Sequence, residues 1–276
     1  MEFEVVMADH EGKNLRRVVV CPPGPAYARE KSLTAHNFRG LPDLEKCRRQ
    51  HQALCGVMRD AGAEVVEVSE QDGHPNSLFT RDTSLVTPVG YVQLRMGLES
   101  RRGEERWIAA HLERLGVPRA GVIEPPGTVE GGDVVLAGRV AFLGRSSRSN
   151  AAGGEQLSIL LGKMGYEIRV REIGDDFLHI GGSMSVVGPE TVLACAGVFP
   201  QRFFHGFDLI EVDDRSFAAV NVICLGTSGV ILHREFRATI GALDAKGFTV
   251  HALDFSEILK GCGGPTCTIL PVERGE

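Results

Sequence analysis

The chain has 276 residues, 43% of them hydrophobic and 24% charged, so it can bury a sizeable core and does not have the composition of a disordered chain. Lys+Arg 30 against Asp+Glu 36 leave a net charge of −6, which argues against a broad phosphate-binding surface, and hence against a nucleic-acid partner. The run Arg101-Arg102-Gly103-Glu104-Glu105 reads as a mixed, ion-paired helix face. No segment approaches the ~18 uninterrupted apolar residues of a membrane span, and MEFEVVMADHEGK lacks the basic and apolar regions of a signal peptide. Seven cysteines cannot all pair and most sit in apolar runs, so reduced thiols and a cytoplasmic location are expected.

In chain order, short runs rich in Val, Ile and Leu predict strands at 17–21, 63–68, 84–87, 91–94, 134–136 and 140–143. Further strands are predicted at 185–187, 191–194, 219–225, 229–232 and 248–252. Apolar residues at three- and four-residue steps predict helices at 44–61, 102–115, 150–164 and, more weakly, 233–245, with Asn150 as an N-cap. A glycine follows each of them, the usual left-handed stop. Strand pairs suited to hairpins followed by a helix and another strand, at roughly 50-residue intervals, suggest a repeated ββαβ unit closing into a propeller-like ring. No composition break divides the chain, so residues 1–276 are expected to form one domain.

Phosphate-loop, zinc-protease and dinucleotide-binding motifs are missing, and Gly181-Gly182-Ser183-Met184-Ser185 fails the nucleophile-elbow pattern at its last position. Cys262 and Cys267 have no second pair, so no structural metal is expected. The segment Gly261-Cys262-Gly263-Gly264-Pro265-Thr266-Cys267-Thr268-Ile269-Leu270 places a thiol where a glycine-rich loop meets a core strand. Cys21, Cys47, Cys55, Cys195 and Cys224 read as small buried residues. A nucleophilic cysteine needs a general acid/base, and His179, between apolar residues and Gly181-Gly182, fits better than His10, His36, His51, His111 or His251, which read as surface residues. Glu130-Gly131-Gly132-Asp133 and Arg81-Asp82 put carboxylates directly before strands. Taken singly, each has a plain structural reading: a buried thiol, a core histidine, a solvated turn, an ordinary ion pair.

Taken together and in order, these segments resemble the guanidino-group-modifying enzymes, and most of all the dimethylarginine dimethylaminohydrolases. The matches are Asn76-Ser77-Leu78-Phe79-Thr80-Arg81-Asp82, Arg95-Met96-Gly97-Leu98-Glu99-Ser100-Arg101-Arg102-Gly103-Glu104, Pro126-Gly127-Thr128-Val129-Glu130-Gly131-Gly132-Asp133, Gly144-Arg145-Ser146-Ser147-Arg148-Ser149-Asn150, Leu178-His179 and Gly263-Gly264-Pro265-Thr266-Cys267. The resemblance implies an α/β, five-bladed pseudo-symmetric propeller, the pentein fold. It implies Cys267 as nucleophile, His179 as general acid/base and Glu130 as the partner of His179. It further implies Asp82 as the holder of the substrate guanidinium, Arg95 and Arg148 as binders of its α-carboxylate, Asn76 and Asp133 beside the substrate, and residues 22–42 as a lid. Asn76 and Arg81 stand where the dimethylaminohydrolases are expected to carry Asp and Glu and look more like arginine deiminases, yet Gly181 replaces the deiminase Asp.

The implied reaction is hydrolysis of a guanidino C–N bond of arginine or an Nω-methylated arginine, through a covalent cysteine adduct, to citrulline and ammonia or an amine. It calls for no cofactor and no metal, and its partner is a small guanidino molecule; membrane partners are not expected and a homodimer is left open. The alternatives are an arginine deiminase proper, an amidinotransferase passing the group to an amine, and, least favoured because Cys, His and Glu are all present, a non-catalytic pentein binding protein.

Overall fold

The computed structural model describes residues 7–29 and 32–275. The first six residues of the segment read for a leader, and Glu30 and Lys31 of the expected lid, lie outside the described residues. The chain opens with β1 (Asn14–Val20), α1 (Pro25–Arg29), α2 (Leu44–Asp60) and β2 (Glu64–Glu67), then β3 (Ser84–Thr87), β4 (Gly90–Gln93), α3 (Glu104–Arg114) and β5 (Arg119–Val122). Next come β6 (Val134–Ala137), β7 (Val140–Arg145), α4 (Ala151–Lys163) and β8 (Glu167–Glu172), followed by β9 (Met184–Gly188), β10 (Thr191–Cys195) and β11 (Asp208–Val212). The last elements are β12 (Ile223–Cys224), β13 (Val230–His233), α5 (Arg237–Asp244), β14 (Val250–Leu253) and β15 (Leu270–Gly275).

These strands form five three-stranded sheets, ordered β15-β1-β2, β3-β4-β5, β6-β7-β8, β9-β10-β11 and β12-β13-β14. In each, two antiparallel strands are joined by a third strand parallel to the middle one. A parallel partner needs a crossover, and helices α2, α3, α4 and α5 supply four of them. In the β9 unit a short 3₁₀ turn at Gln201–Phe204 takes the helix's place, and Phe199, Phe203 and Phe204 pack there against Phe142 and one another. The Asp43 and Asn150 side chains accept from Lys46 N and Gly153 N and so cap α2 and α4.

Five apolar cores lie between neighbouring sheets. One joins β1 and α2 to β12, β13 and Phe255; the next joins β1 and β15 to β3, β4 and α3. The third links β3 and β4 to β6, β7 and α4, the fourth β6 and β7 to β9 and β10, and the fifth β9 and β10 to β13, α5 and Val220 and Val222 just before β12. Each sheet therefore buries both faces, which explains the Val/Ile/Leu-rich first and middle strands.

Several expectations are corrected. The strand predicted at 219–225 shrinks to Ile223–Cys224, because a turn closed by Ala219 N to Ser216 O and Asn221 N to Ala218 O occupies its first half. α3 starts at Glu104 after Gly103, whose φ of 110° breaks the helix. α5 starts at Arg237, since His233 ends β13 and its Nδ1 accepts from Phe255 N. β5, β8 and β11 fall outside the predicted strands: β5 is a four-residue strand with Gly121 inside it, and charged residues interrupt the apolar runs of β8 and β11. His10 and His51 are buried, not on the surface: His51 belongs to the apolar stripe of α2 beside Cys55, and His10 bridges Gly12 N and Pro189 O. The five cysteines read as core residues are all buried.

Candidate active site

The short 3₁₀ turns Thr80–Asp82, Gly131–Asp133, Ile180–Gly182 and Pro265–Thr268 stand at or just before the first strands β3, β6, β9 and β15. The turns touch one another, so repetition of the unit brings residues far apart in sequence to one place. Asp82, Glu130, His179 and Cys267 line one cavity with Asn76, Leu98, Arg101, Arg148 and Cys262. His36 and Asn37 also line it, and its space of about 20 Å³ has room for one water-sized occupant.

Glu130 is 1% exposed and is held from both sides. Its Oε1 accepts from Gly97 N and Leu98 N, each at 3.0 Å, and its Oε2 takes the Nε2 hydrogen of His179 at 3.0 Å. That contact fixes the donor nitrogen and leaves Nδ1 for proton transfer. Gly132 lies so close to the ring that a Cβ there would stand 2.5 Å from His179 Nδ1, so the close approach requires glycine. Burial alone would push Glu130 up and His179 down. For Glu130 the hydrogen bond and charge of His179 outweigh it and hold the carboxyl well below its usual range. For His179 the Asp82 and Asp133 charges and the Glu130 hydrogen bond outweigh it and raise the imidazole. The resting pair is therefore imidazolium with carboxylate.

Asp82, 2% exposed, accepts from Gly132 N at 3.0 Å through Oδ1 and from Arg101 Nη1 at 2.6 Å through Oδ2. Arg101 is equally buried; its Nε and Nη2 both donate to Glu104 Oε2 and its Nη2 also to Phe79 O. Burial opposes the Arg101 charge, but the two carboxylates outweigh it and raise the pKa. The expected ion pairing in this run is thus present, though inside the protein and aimed at Asp82. Sequence reasoning assigned Arg101 no role, although it stands inside one of the matching segments with Glu104 three residues on.

Cys267 is half-buried, and its Sγ accepts from Gly264 N at 3.3 Å. Burial first, and the Asp82 charge second, push the thiol up to about 11. Its loop is tied by Asn221, whose Oδ1 accepts from Thr266 N at 2.8 Å while its Nδ2 donates to Gly181 O at 3.0 Å. Asn221 therefore spans the cysteine and histidine loops. It was missed because it lay inside a stretch read as strand.

The remaining expected residues divide. Arg148 lines the cavity, with Nη1 3.9 Å from Glu130 Oε1. Arg95 does not reach it: its Nη1 donates to Gly127 O, and it lines a separate groove with Arg102, Arg106 and Arg119. Asp133 supports the site from below, its Oδ2 accepting from Ser146 Oγ and its Oδ1 from Ile180 N, the residue after His179. Asn76 lines the cavity; its Nδ2 donates to His36 O at 3.1 Å, and its buried Oδ1 has no partner. Arg81 turns away, bonding Gly131 O, Val134 O and Glu11. Asp82, Glu130 and His179 present ligand-type atoms within 4.8 Å of one another, but each is already engaged as described.

A thiol, an imidazolium–carboxylate pair and a second carboxylate around one cavity define a hydrolase acting on C–N bonds of amidine-type groups. The chain belongs to the dimethylarginine dimethylaminohydrolase family: the family model described as "N,N dimethylarginine dimethylhydrolase, eukaryotic" matches residues 39–274. An uncharacterised protein of Aeropyrum pernix is 31% identical over 90% of this chain and 93% of its own. The N(G),N(G)-dimethylarginine dimethylaminohydrolase of Pseudomonas aeruginosa is 29% identical over 89% of this chain and 96% of its own. A solved structure of a mutant of the Pseudomonas aeruginosa enzyme, complexed with citrulline, superposes with a TM-score of 0.84 at 26% identity, covering 93% of this chain and 99% of that one. Among the described residues no helix is long and apolar enough to cross a membrane.

Proposed function

We propose that this chain hydrolyses the guanidino group of arginine or an Nω-methylated arginine to citrulline and ammonia or the corresponding amine. The observation that carries the proposal is the meeting of Cys267, the His179–Glu130 pair and Asp82 at one cavity. A guanidinium is planar and cationic, and its carbon is a poor electrophile. Asp82 keeps lone pairs free after serving Gly132 N and Arg101, so it can pair with the group edge-on and leave its face open to sulfur. On substrate binding the Cys267 thiol loses its proton to solvent, and the thiolate adds to the guanidino carbon. His179 gives its proton to the departing nitrogen as the C–N bond breaks, leaving a thiouronium on Cys267. The neutral imidazole then takes a proton from water and the hydroxide adds to the same carbon; as the C–S bond breaks, the new hydroxyl proton passes to the departing sulfur, which releases the ureido product and restores the Cys267 thiol.

Of the two positions the resemblance offered for the substrate carboxylate, Arg148 lines the cavity and Arg95 lines another groove, which favours Arg148. Closure of residues 1–276 into a single five-bladed propeller is supported by the five inter-sheet cores. The lid reading is narrower than 22–42. Tyr27 is fully buried with its hydroxyl on Ile258 O, and Glu70 binds the backbone at Gly24, Ala26 and Tyr27. The covering part is 35–37, held by Ser100 Oγ to Ala35 O and Asn76 Nδ2 to His36 O. Since the covered cavity holds about one water, this part must open to admit a substrate.

The test is a panel of arginine, monomethyl- and dimethylarginine, agmatine and guanidino acids, read as ureido product with and without an amine acceptor. Ureido product without acceptor supports hydrolysis; product only with acceptor assigns an amidinotransferase. Cys267→Ser should abolish turnover with the fold intact, and quenched reactions of a slow variant should carry the adduct on the Cys267 peptide. Loss of activity in Cys262→Ser but not in Cys267→Ser would overturn the assignment.

A further inference from the structure

Away from the catalytic residues, a second cavity of about 20 Å³ lies between β3, β6 and β15 and the 8–11 segment. Its walls carry two guanidinium groups, Arg81 and Arg274, with Glu11, His10 and Ser84. Glu11 is engaged by Arg81 and offsets that charge. His10 is neutral there: its Nδ1 accepts from Gly12 N and its Nε2 faces Pro189 O, and burial lowers its pKa. Arg274 is 2% exposed, and among the described residues it forms no ion pair. Its Nη1 donates only to the carbonyls of Lys13 and Cys224, and its Nε has no partner. The hydroxyl of Ser84, 1% exposed, has none either. Two orphaned polar groups thus border a cavity with one uncompensated positive charge, an arrangement that is destabilising unless something fills it. A water would meet the orphaned donors, but only an anion also offsets the charge.

We propose that this cavity holds a single small monovalent anion of halide size, bound by Arg274 Nε–H and the Ser84 hydroxyl. The site is independent of the guanidino chemistry, because neither side chain lines the catalytic cavity. Burial lowers the pKa of Arg274 against the opposing influence of Cys224 and the Glu11 charge, with Arg81 adding a smaller lowering effect, and a bound anion relieves the burial and the repulsion. The small volume of the cavity favours a monatomic anion over sulfate or a carboxylate.

The experiment is a bromide titration of the whole protein at constant ionic strength in sulfate, with melting temperature as the readout, together with anomalous diffraction from bromide-grown crystals. Expected are a saturable rise in melting temperature, an anomalous peak within hydrogen-bonding distance of Arg274 Nε and Ser84 Oγ, and loss of the halide-dependent rise in Ser84→Ala and Arg274→Met. Should Arg274→Met fail to fold, Ser84→Ala, which removes one oxygen, still decides. A flat titration, a peak without the thermal effect, or an undiminished rise in Ser84→Ala overturns the proposal. Non-specific salt effects do not mimic it, since replacing sulfate by halide lowers stability in general.

Discussion

The Cys267 thiol, pushed up to about 11, is almost entirely protonated at neutral pH, so the resting enzyme is a weak nucleophile. Binding of a cationic guanidinium should change this. A unit positive charge about 4 Å from the sulfur, at an effective dielectric constant of about 20, favours the thiolate by about 4 kcal/mol. At 1.36 kcal/mol per pH unit that is roughly three units, bringing the thiol near 8. At pH 7 the thiolate fraction then rises from about one in 10⁴ to about one in ten. Engagement of Asp82 by the cation acts in the same direction, since that carboxylate is the second cause of the raised pKa. The assay is thiolate ultraviolet absorbance against pH, taken as the difference between the native protein and Cys267→Ser, with and without a non-hydrolysable amidinium ligand. Citrulline, neutral at the ureido end, is the control and should leave the thiol near 11. An unchanged value with the cation, or an equal fall with citrulline, would refute substrate-assisted activation.

Arg148→Ala should raise KM for an α-amino acid substrate by about 1.5–3 kcal/mol, roughly ten-fold or more, while Arg95→Ala, outside the cavity, should leave it unchanged; steady-state kinetics on both variants decide. Agmatine, without the carboxylate, should be a poor substrate, and a kcat/KM equal to that of arginine would give Arg148 another task. Asn76→Asp removes the Nδ2 donor to His36 O and adds a carboxylate beside the substrate, so the kcat/KM ratio of methylated to unmethylated arginine should shift by about ten-fold or more. A constant ratio would return specificity to the covering segment. The raised His179 pKa contributes stability that is fully present below the unfolded value of 6.5 and lost as pH rises through the folded value. The lowered Glu130 pKa contributes stability present above 4.5 and lost as pH falls through its folded value. In urea melts the stability difference between native protein and His179→Gln should therefore shrink as the pH passes the raised imidazole value; a difference constant with pH would sever the pair from stability.

What was legible in the sequence follows from how local each cause is. Helix stripes, hairpin strands and the Asn150 cap depend on neighbouring residues and could be read directly. Among the third strands, β2 and β14 carry apolar runs and could be read, whereas β5 is four residues long with a glycine inside it and charged residues break up the apolar runs of β8 and β11, so parallel pairing with the middle strand has to complete them. At the site, Asp82, Glu130, His179 and Cys267 stand out because each sits at or beside the turn that opens a repeat. Arg95 and Arg101 show the limit of that reading. They share one matching segment, and only the bend at Glu99–Arg101 decides that Arg101 turns inward onto Asp82 while Arg95 lies against Gly127. Arg81 shows the same dependence on the turn. Beside Asp82 it reads as half of an ordinary ion pair, but successive residues of a tight turn point to different sides. Asp82 faces the catalytic cavity, and Arg81 leaves the backbone toward Glu11 and the second cavity. The departure at Arg81 from the dimethylaminohydrolase pattern therefore does not bear on which nitrogen is hydrolysed. Of the two substituted positions, only Asn76 lines the cavity, and the question of a methylated substrate turns on that side chain and the segment it holds down.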